Sequence, residues 1–179
     1  AGLGFVFFLI IAGANQLVNP FLETEFGIGL STAGFVTTVW GIAVVGASLV
    51  SGRLIDRLGD RTATRIALGV AFVGTFALAG ITNAALAWPL VALFRLAYGT
   101  YQTVYFALAM EHTDPRIAAS MFSILMAVTN VAQGVGMGVS GALADGIGFR
   151  ATFLVLAALN MLALPLMPRV FGKPAKSSR

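Results

Sequence analysis

The twelve residues Val50-Ser51-Gly52-Arg53-Leu54-Ile55-Asp56-Arg57-Leu58-Gly59-Asp60-Arg61 recur 89 positions later as Val139-Ser140-Gly141-Ala142-Leu143-Ala144-Asp145-Gly146-Ile147-Gly148-Phe149-Arg150, with seven of the twelve identical. Each copy closes one long apolar run and opens another. Three apolar runs separate the copies, so if each run crosses a barrier once, the copies lie on opposite faces of it. A unit used twice in opposite orientation is the mark of an inverted-topology repeat. The fold this implies is all-α, six helices built as three and three.

Composition identifies the barrier. Hydrophobic residues make up 58% of the 179 and charged residues only 10%. A soluble surface needs roughly a quarter of its residues charged, and 11 basic plus 7 acidic side chains cannot supply that. A polytopic membrane protein is expected, and continuous rather than alternating apolar runs exclude a β-barrel. Cysteine is absent, so disulfides, thiolate metal sites and thiol redox chemistry are excluded. Apolar runs recur along the chain, unlike a single signal peptide. The first residue is Ala with no lead-in, which suggests a processed chain or a piece of a longer one.

A helix needs about 20 residues to cross the hydrocarbon core. Runs of that order are expected at 2–21, 32–51, 63–81, 86–109, 117–143 and 151–167. The layout is a six-helix unit over 1–168, with repeat one at about 1–82 and repeat two at about 83–168, followed by a basic tail over 169–179. Arg53, Arg57, Arg61, Arg65, Arg116, Arg169, Lys173, Lys176 and Arg179 gather on one face, against Arg150 with Glu23, Glu25 and Asp145 on the other. The positive-inside rule then makes both termini cytoplasmic. The net charge of +4 is topological and not a nucleic-acid footprint. The expected location is a bacterial or archaeal inner membrane.

Polar groups at membrane depth are costly and mark either helix contacts or a pathway. The first helix carries Asn15, Gln16 and Asn19, and the fifth carries Asn130 and Gln133. The fourth carries Arg95, Tyr98, Gln102 and Tyr105, which at 100° per residue fall within about 80° of a helical wheel. Asn and Gln serve equally well as interhelical glue, whereas a mid-span guanidinium requires a partner or a water-filled cavity. Helices three and six, with Asn160 the main polar exception, read as lipid-facing. Small residues concentrate on helix two and, as Gly134, Gly136, Gly138 and Gly141, on helix five; the Gly134-to-Gly138 spacing suggests close packing.

The segment at 52–61 resembles the signature loop of the major facilitator superfamily: a glycine, then an acid and a base, one residue, a second glycine, and two basic residues. Gly52, Asp56, Arg57, Gly59 and Arg61 match, while Asp60 stands where the family has a first base. The resemblance covers essentially the whole chain. It implies twelve helices in two six-helix halves, alternating access, and a central cavity lined by the first and fourth helices of each half. On that reading Gly52, Asp56, Arg57, Gly59 and Arg61 form a gating loop, and the polar residues of helices one, four and five line the solute path. The short basic end favours the C-terminal half. The run Asn19-Pro20-Phe21 is similar to C-terminal halves of muropeptide-permease-like and siderophore-permease-like members. The second half would come from the same polypeptide, a homodimer or a partner chain.

Three function classes separate at this point. Secondary transport of a small solute fits the polar stripe. A non-transporting assembly or scaffold partner would keep the fold but could lose cavity polarity. A membrane enzyme would need nucleophiles, bases or metal ligands at depth, and none is present: the sole His112 sits beside Glu111 in a connecting segment, and no phosphate-binding Gly-Lys motif occurs. No cofactor is expected. Because all seven acids fall in loops or at helix ends, Arg95 points to an anionic or carboxylate-bearing solute, or to an acid in the other half.

Overall fold

The computed structural model describes residues 2–111 and 113–162. His112, residues 163–167 of the expected sixth span, and the tail 169–179 lie outside the described residues. Within them the chain forms six helices: α1 Gly2–Phe26, α2 Leu30–Leu58, α3 Asp60–Ala79, α4 Ala84–Glu111, α5 Ala118–Ile147 and α6 Phe149–Leu162. One 3-10 turn, Pro115–Ile117, leads into α5, and the Asp114 side chain caps it by accepting from the Arg116 amide at 2.9 Å.

Helices α1 to α5 run longer than the apolar runs that signal them, and several connections are correspondingly short. Gly59 alone joins α2 to α3, and Gly148 alone joins α5 to α6. Gly59 has φ 72° and ψ 165°, and Gly148 has φ 81° and ψ 161°. Side chains essentially exclude that region, so glycine is required at both. The hydrogen bonds repeat as well. The Gly59 amide donates to the Ile55 carbonyl and the Gly148 amide to Ala144, both at 2.9 Å; each glycine carbonyl then accepts from the amide four residues on, Ala63 or Thr152. Every partner in the second set is the first set's partner plus 89.

Packing follows the same relation. The main contacts of α1 are with α5, and those of α2 are with α4, the two pairs that a two-fold exchange of the repeats would interconvert. Trp40 meets Arg95 and Val44 meets Gly99, a step of four in each helix, so α2 and α4 run parallel. Leu9 meets Gly136 and Gly13 meets Ser140 with the same step, so α1 and α5 run parallel too. Both seams depend on small residues. A Cβ on Gly13 would lie 2.9 Å from the Gly136 carbonyl, one on Gly99 would lie 2.9 Å from the Val44 carbonyl, and one on Gly136 would collide with the Leu9 carbonyl. Gly136 is the position 89 after Ala47, which itself abuts Gly99.

These contacts correct the reading of helix five. Gly134, Gly138 and Gly141 have open space where a Cβ would stand, and Gly136, on the other side of the helix, makes the close approach. Spacing alone cannot say which face of a glycine-rich helix meets a neighbour. Helices α3 and α6 are not uniformly outward-facing either. Ala63, Ala67, Leu68, Ala71 and Leu78 of α3, and Phe153, Leu156 and Asn160 of α6, are buried. Their opposite faces, with Val73, Phe76, Leu154 and Val155, are exposed.

The core is aromatic and aliphatic, centred on Phe7, Phe8, Ile10, Ile11 and Phe21 of α1 with Phe94 and Tyr101 of α4 and Phe153 of α6. In lipid such contacts hold helices through close packing and dispersion, since the tails are as apolar as the side chains. Helices α2 and α5 leave broad apolar faces uncovered, with Ile42 72% and Val131 60% exposed. Hydroxyls within the bundle are satisfied locally: Ser51 donates to the Ala47 carbonyl at 2.6 Å, and Thr75 to Ala71 at 2.8 Å. By length and composition, 4–26, Asp60–Ala79 and Pro115–Ile147 are long and apolar enough to cross a membrane, and Phe149–Met161 is shorter. The polar stripe of α4 lowers its hydropathy below that standard.

Candidate functional site

Residues 52–61 are not a loop. Gly52, Asp56 and Arg57 ride the last turns of α2, Gly59 is the turn, and Arg61 opens α3. Charges at the exposed end of a long helix depress hydropathy just as a loop does, which is why the sequence reads as one. Asp56, Arg57 and Arg61 are exposed, and Asp56 has no hydrogen-bond or ion-pair partner among the described residues. Arg53 and Arg65 are exposed at this junction as well.

The opposite end carries a clasp that sequence reading treated only as an exception to the charge bias. Arg150 donates through Nη1 to the Ala79 carbonyl at 3.0 Å, lies 3.9 Å from Glu25, and places its guanidinium 5.5 Å from the Phe21 ring. It thereby ties the ends of α1 and α3 to the start of α6. Arg150 is the repeat counterpart of Arg61. That correspondence was available as a signal, since both arginines belong to the repeated twelve.

The α4 stripe meets two different neighbours. Arg95 is 3% exposed and lies against α2, its Cζ 4.3 Å from the Trp40 ring centroid. A cation–π contact of this kind is worth about 2 kcal/mol when desolvated, while burying a charge costs several. Neither Nε nor Nη1 of Arg95 has an acceptor among the described residues, and the Trp40 indole nitrogen has none either. Tyr105 instead turns to α1, with ring centroids 5.2 Å from Phe8, and the α1 backbone fits it through Gly4. Tyr101, which sequence reading passed over, stacks on Phe7 and extends the aromatic seam to Tyr105 at 6.4 Å. Tyr98 and Gln102 are half-buried between these two directions.

On the other helices, Asn15 is half-buried with its carbonyl oxygen unpartnered, and Gln133 is half-buried. Gln16, Asn19 and Asn130 are exposed on the unit. Asn160 is 1% exposed, and both of its amide atoms lack a partner among the described residues. No group of three or more His, Cys, Asp or Glu that could hold a metal occurs among the described residues. The donors gathered here can bind and orient an acceptor-bearing group; they supply no nucleophile.

Comparison with known proteins bears on the whole length. The family model described as Major Facilitator Superfamily matches residues 1–179. The chain is 32% identical over 181 residues to sugar efflux transporter A of Dickeya chrysanthemi, covering 92% of this chain and 45% of that protein. It is 28% identical over 160 residues to the methylenomycin A resistance protein of Bacillus subtilis, covering 85% of the chain and 34% of that protein. With an uncharacterised MFS-type transporter of Mycobacterium tuberculosis the identity is 28% over 184 residues, covering 94% and 31%. The chain thus spans 31% to 45% of the length of these three relatives.

Proposed function

This chain belongs to the Major Facilitator Superfamily, and from that premise we propose that it supplies one six-helix half of a secondary transporter that moves a small solute by alternating access. In this reading all six helices span the bilayer, the two repeats are inverted, and the arginine-rich end around Gly59 is cytoplasmic. The second half comes from the same polypeptide, a second copy or a partner chain. The observation that carries the reading is the paired seam, α1 with α5 and α2 with α4, closed by the matching turns at Gly59 and Gly148. Two such seams related by an exchange of repeats give a unit two equivalent ways to rock, which is what alternating access requires. Transport is favoured over a scaffold role because Arg95, Asn15 and Gln133 keep costly polar groups within the bundle.

The test uses the absence of cysteine from these 179 residues, with any cysteine of the second half replaced by serine. Gln16 is exposed on the unit, and the reading places it on the solute path. A Gln16→Cys variant in membrane vesicles should react with a water-soluble maleimide from either side, as a path residue open alternately to both faces does. A cysteine there that no aqueous reagent reaches from either side would place Gln16 against lipid and reject this path.

A further inference from the structure

We infer that Arg95 of α4 and Trp40 of α2 together form a binding site for a carboxylate, a step that deepens and rests on the transporter reading above. Arginine and tryptophan side chains carry N–H groups and no acceptor, so a buried pair of them is incomplete without one. Arg95 is 3% exposed, and its Nε and Nη1 find no acceptor among the described residues; the Trp40 indole N–H is buried and unpartnered in the same seam. The Arg95 Cζ lies 4.3 Å from the Trp40 ring centroid, so the ring approaches the cation without supplying it an acceptor.

The missing group has a definite chemistry. The planar edge of a guanidinium matches the two oxygens of a carboxylate, and the indole N–H of the same seam is a further donor seeking an acceptor. A single positive charge balances one negative charge, which favours a carboxylate over a doubly charged phosphate. This chain cannot provide the acid itself, because Glu23, Glu25, Asp56, Asp60, Glu111, Asp114 and Asp145 stand at helix ends or in connections. Two sources remain: a carboxylate on the solute, or an acidic side chain of the half that completes the bundle.

The experiment measures thermal unfolding of the complete transporter in lipid nanodiscs with benzoate, and with its neutral amide benzamide as control. A solute site predicts that benzoate raises the midpoint saturably and benzamide does not. The benzoate shift should vanish in Arg95→Gln and need about tenfold more benzoate in Trp40→Phe, which keeps the ring and loses the N–H, and in Arg95→Lys, which keeps the charge and loses the fork. A protein-derived acid predicts a silent benzoate titration. One Asp or Glu of the completing half, changed to its amide, should then lower the midpoint as much as Arg95→Gln, with the double variant no worse than either single. If benzoate is silent and no such acid exists, the stack on Trp40 alone holds Arg95 and the site is refuted. The readout is independent of transport: benzoate binding without uptake would sink the transporter reading alone, and uptake with neither benzoate binding nor a coupled acid would sink the site alone.

Discussion

Gly59 and Gly148, 89 residues apart, hold the same left-handed extended conformation and the same pair of backbone hydrogen bonds. The repeat is therefore expressed in backbone geometry as well as in residue identity. A side chain at either position would be strained by about 1–3 kcal/mol. Nothing lies within 4 Å of where their Cβ atoms would stand, so the cost is conformational and not steric. Gly59→Ala and Gly148→Ala should lower the unfolding midpoint by similar amounts. A loss at only one of them would show that the two turns are not equivalent.

The seam between α1 and α5 gives a sharper contrast. Gly136→Val puts methyl groups into the Leu9 carbonyl and should cost about 1–3 kcal/mol. Gly134→Val, two residues away with open space, should stay within about 0.5 kcal/mol. Comparable losses in thermal melts would reverse the assignment of the packing face.

The Arg150 clasp should be weak. Its side chain and that of Glu25 are 40% and 43% exposed, so solvent screens the pair. Arg150→Gln is expected to cost less than about 1 kcal/mol. A larger loss in thermal melts would mean that the Ala79 carbonyl, and not Glu25, is the partner that matters.

Orientation follows from charge. A cysteine at Thr62, beside Arg61, should react with an impermeant reagent only from the cytoplasm, and one at Gly27 only from outside. The reverse pattern would overturn the topology.

The sequence made the six helices legible because each apolar run ends in glycine, charge or proline, and it made the repeat legible because seven of twelve residues survive in both copies. Helix ends were not legible in the same way. Arg53, Asp56 and Arg57 look like a loop by polarity, yet they extend α2 to Leu58. The neighbours of the α4 stripe were hidden for a different reason. A helical wheel gives the direction of Arg95, Tyr98, Gln102 and Tyr105 from their own axis but not which neighbour stands there. Two helices flank that side, so Arg95 meets Trp40 of α2 while Tyr105 meets Phe8 of α1. Trp40 was invisible to the sequence because a tryptophan in an apolar run is ordinary until the register of α2 on α4 is known.

The most direct test of the account is solute uptake by proteoliposomes containing the complete transporter, screened with labelled sugars and small carboxylates, in wild type and in Asp56→Asn and Gly59→Leu. Both positions are exposed at the α2–α3 junction, away from the core, and both variants should insert normally. The account predicts a saturable wild-type uptake that both variants impair, with membrane abundance unchanged. Wild-type rates in both variants would reduce the α2–α3 junction to a topological charge cluster and contradict its role in gating.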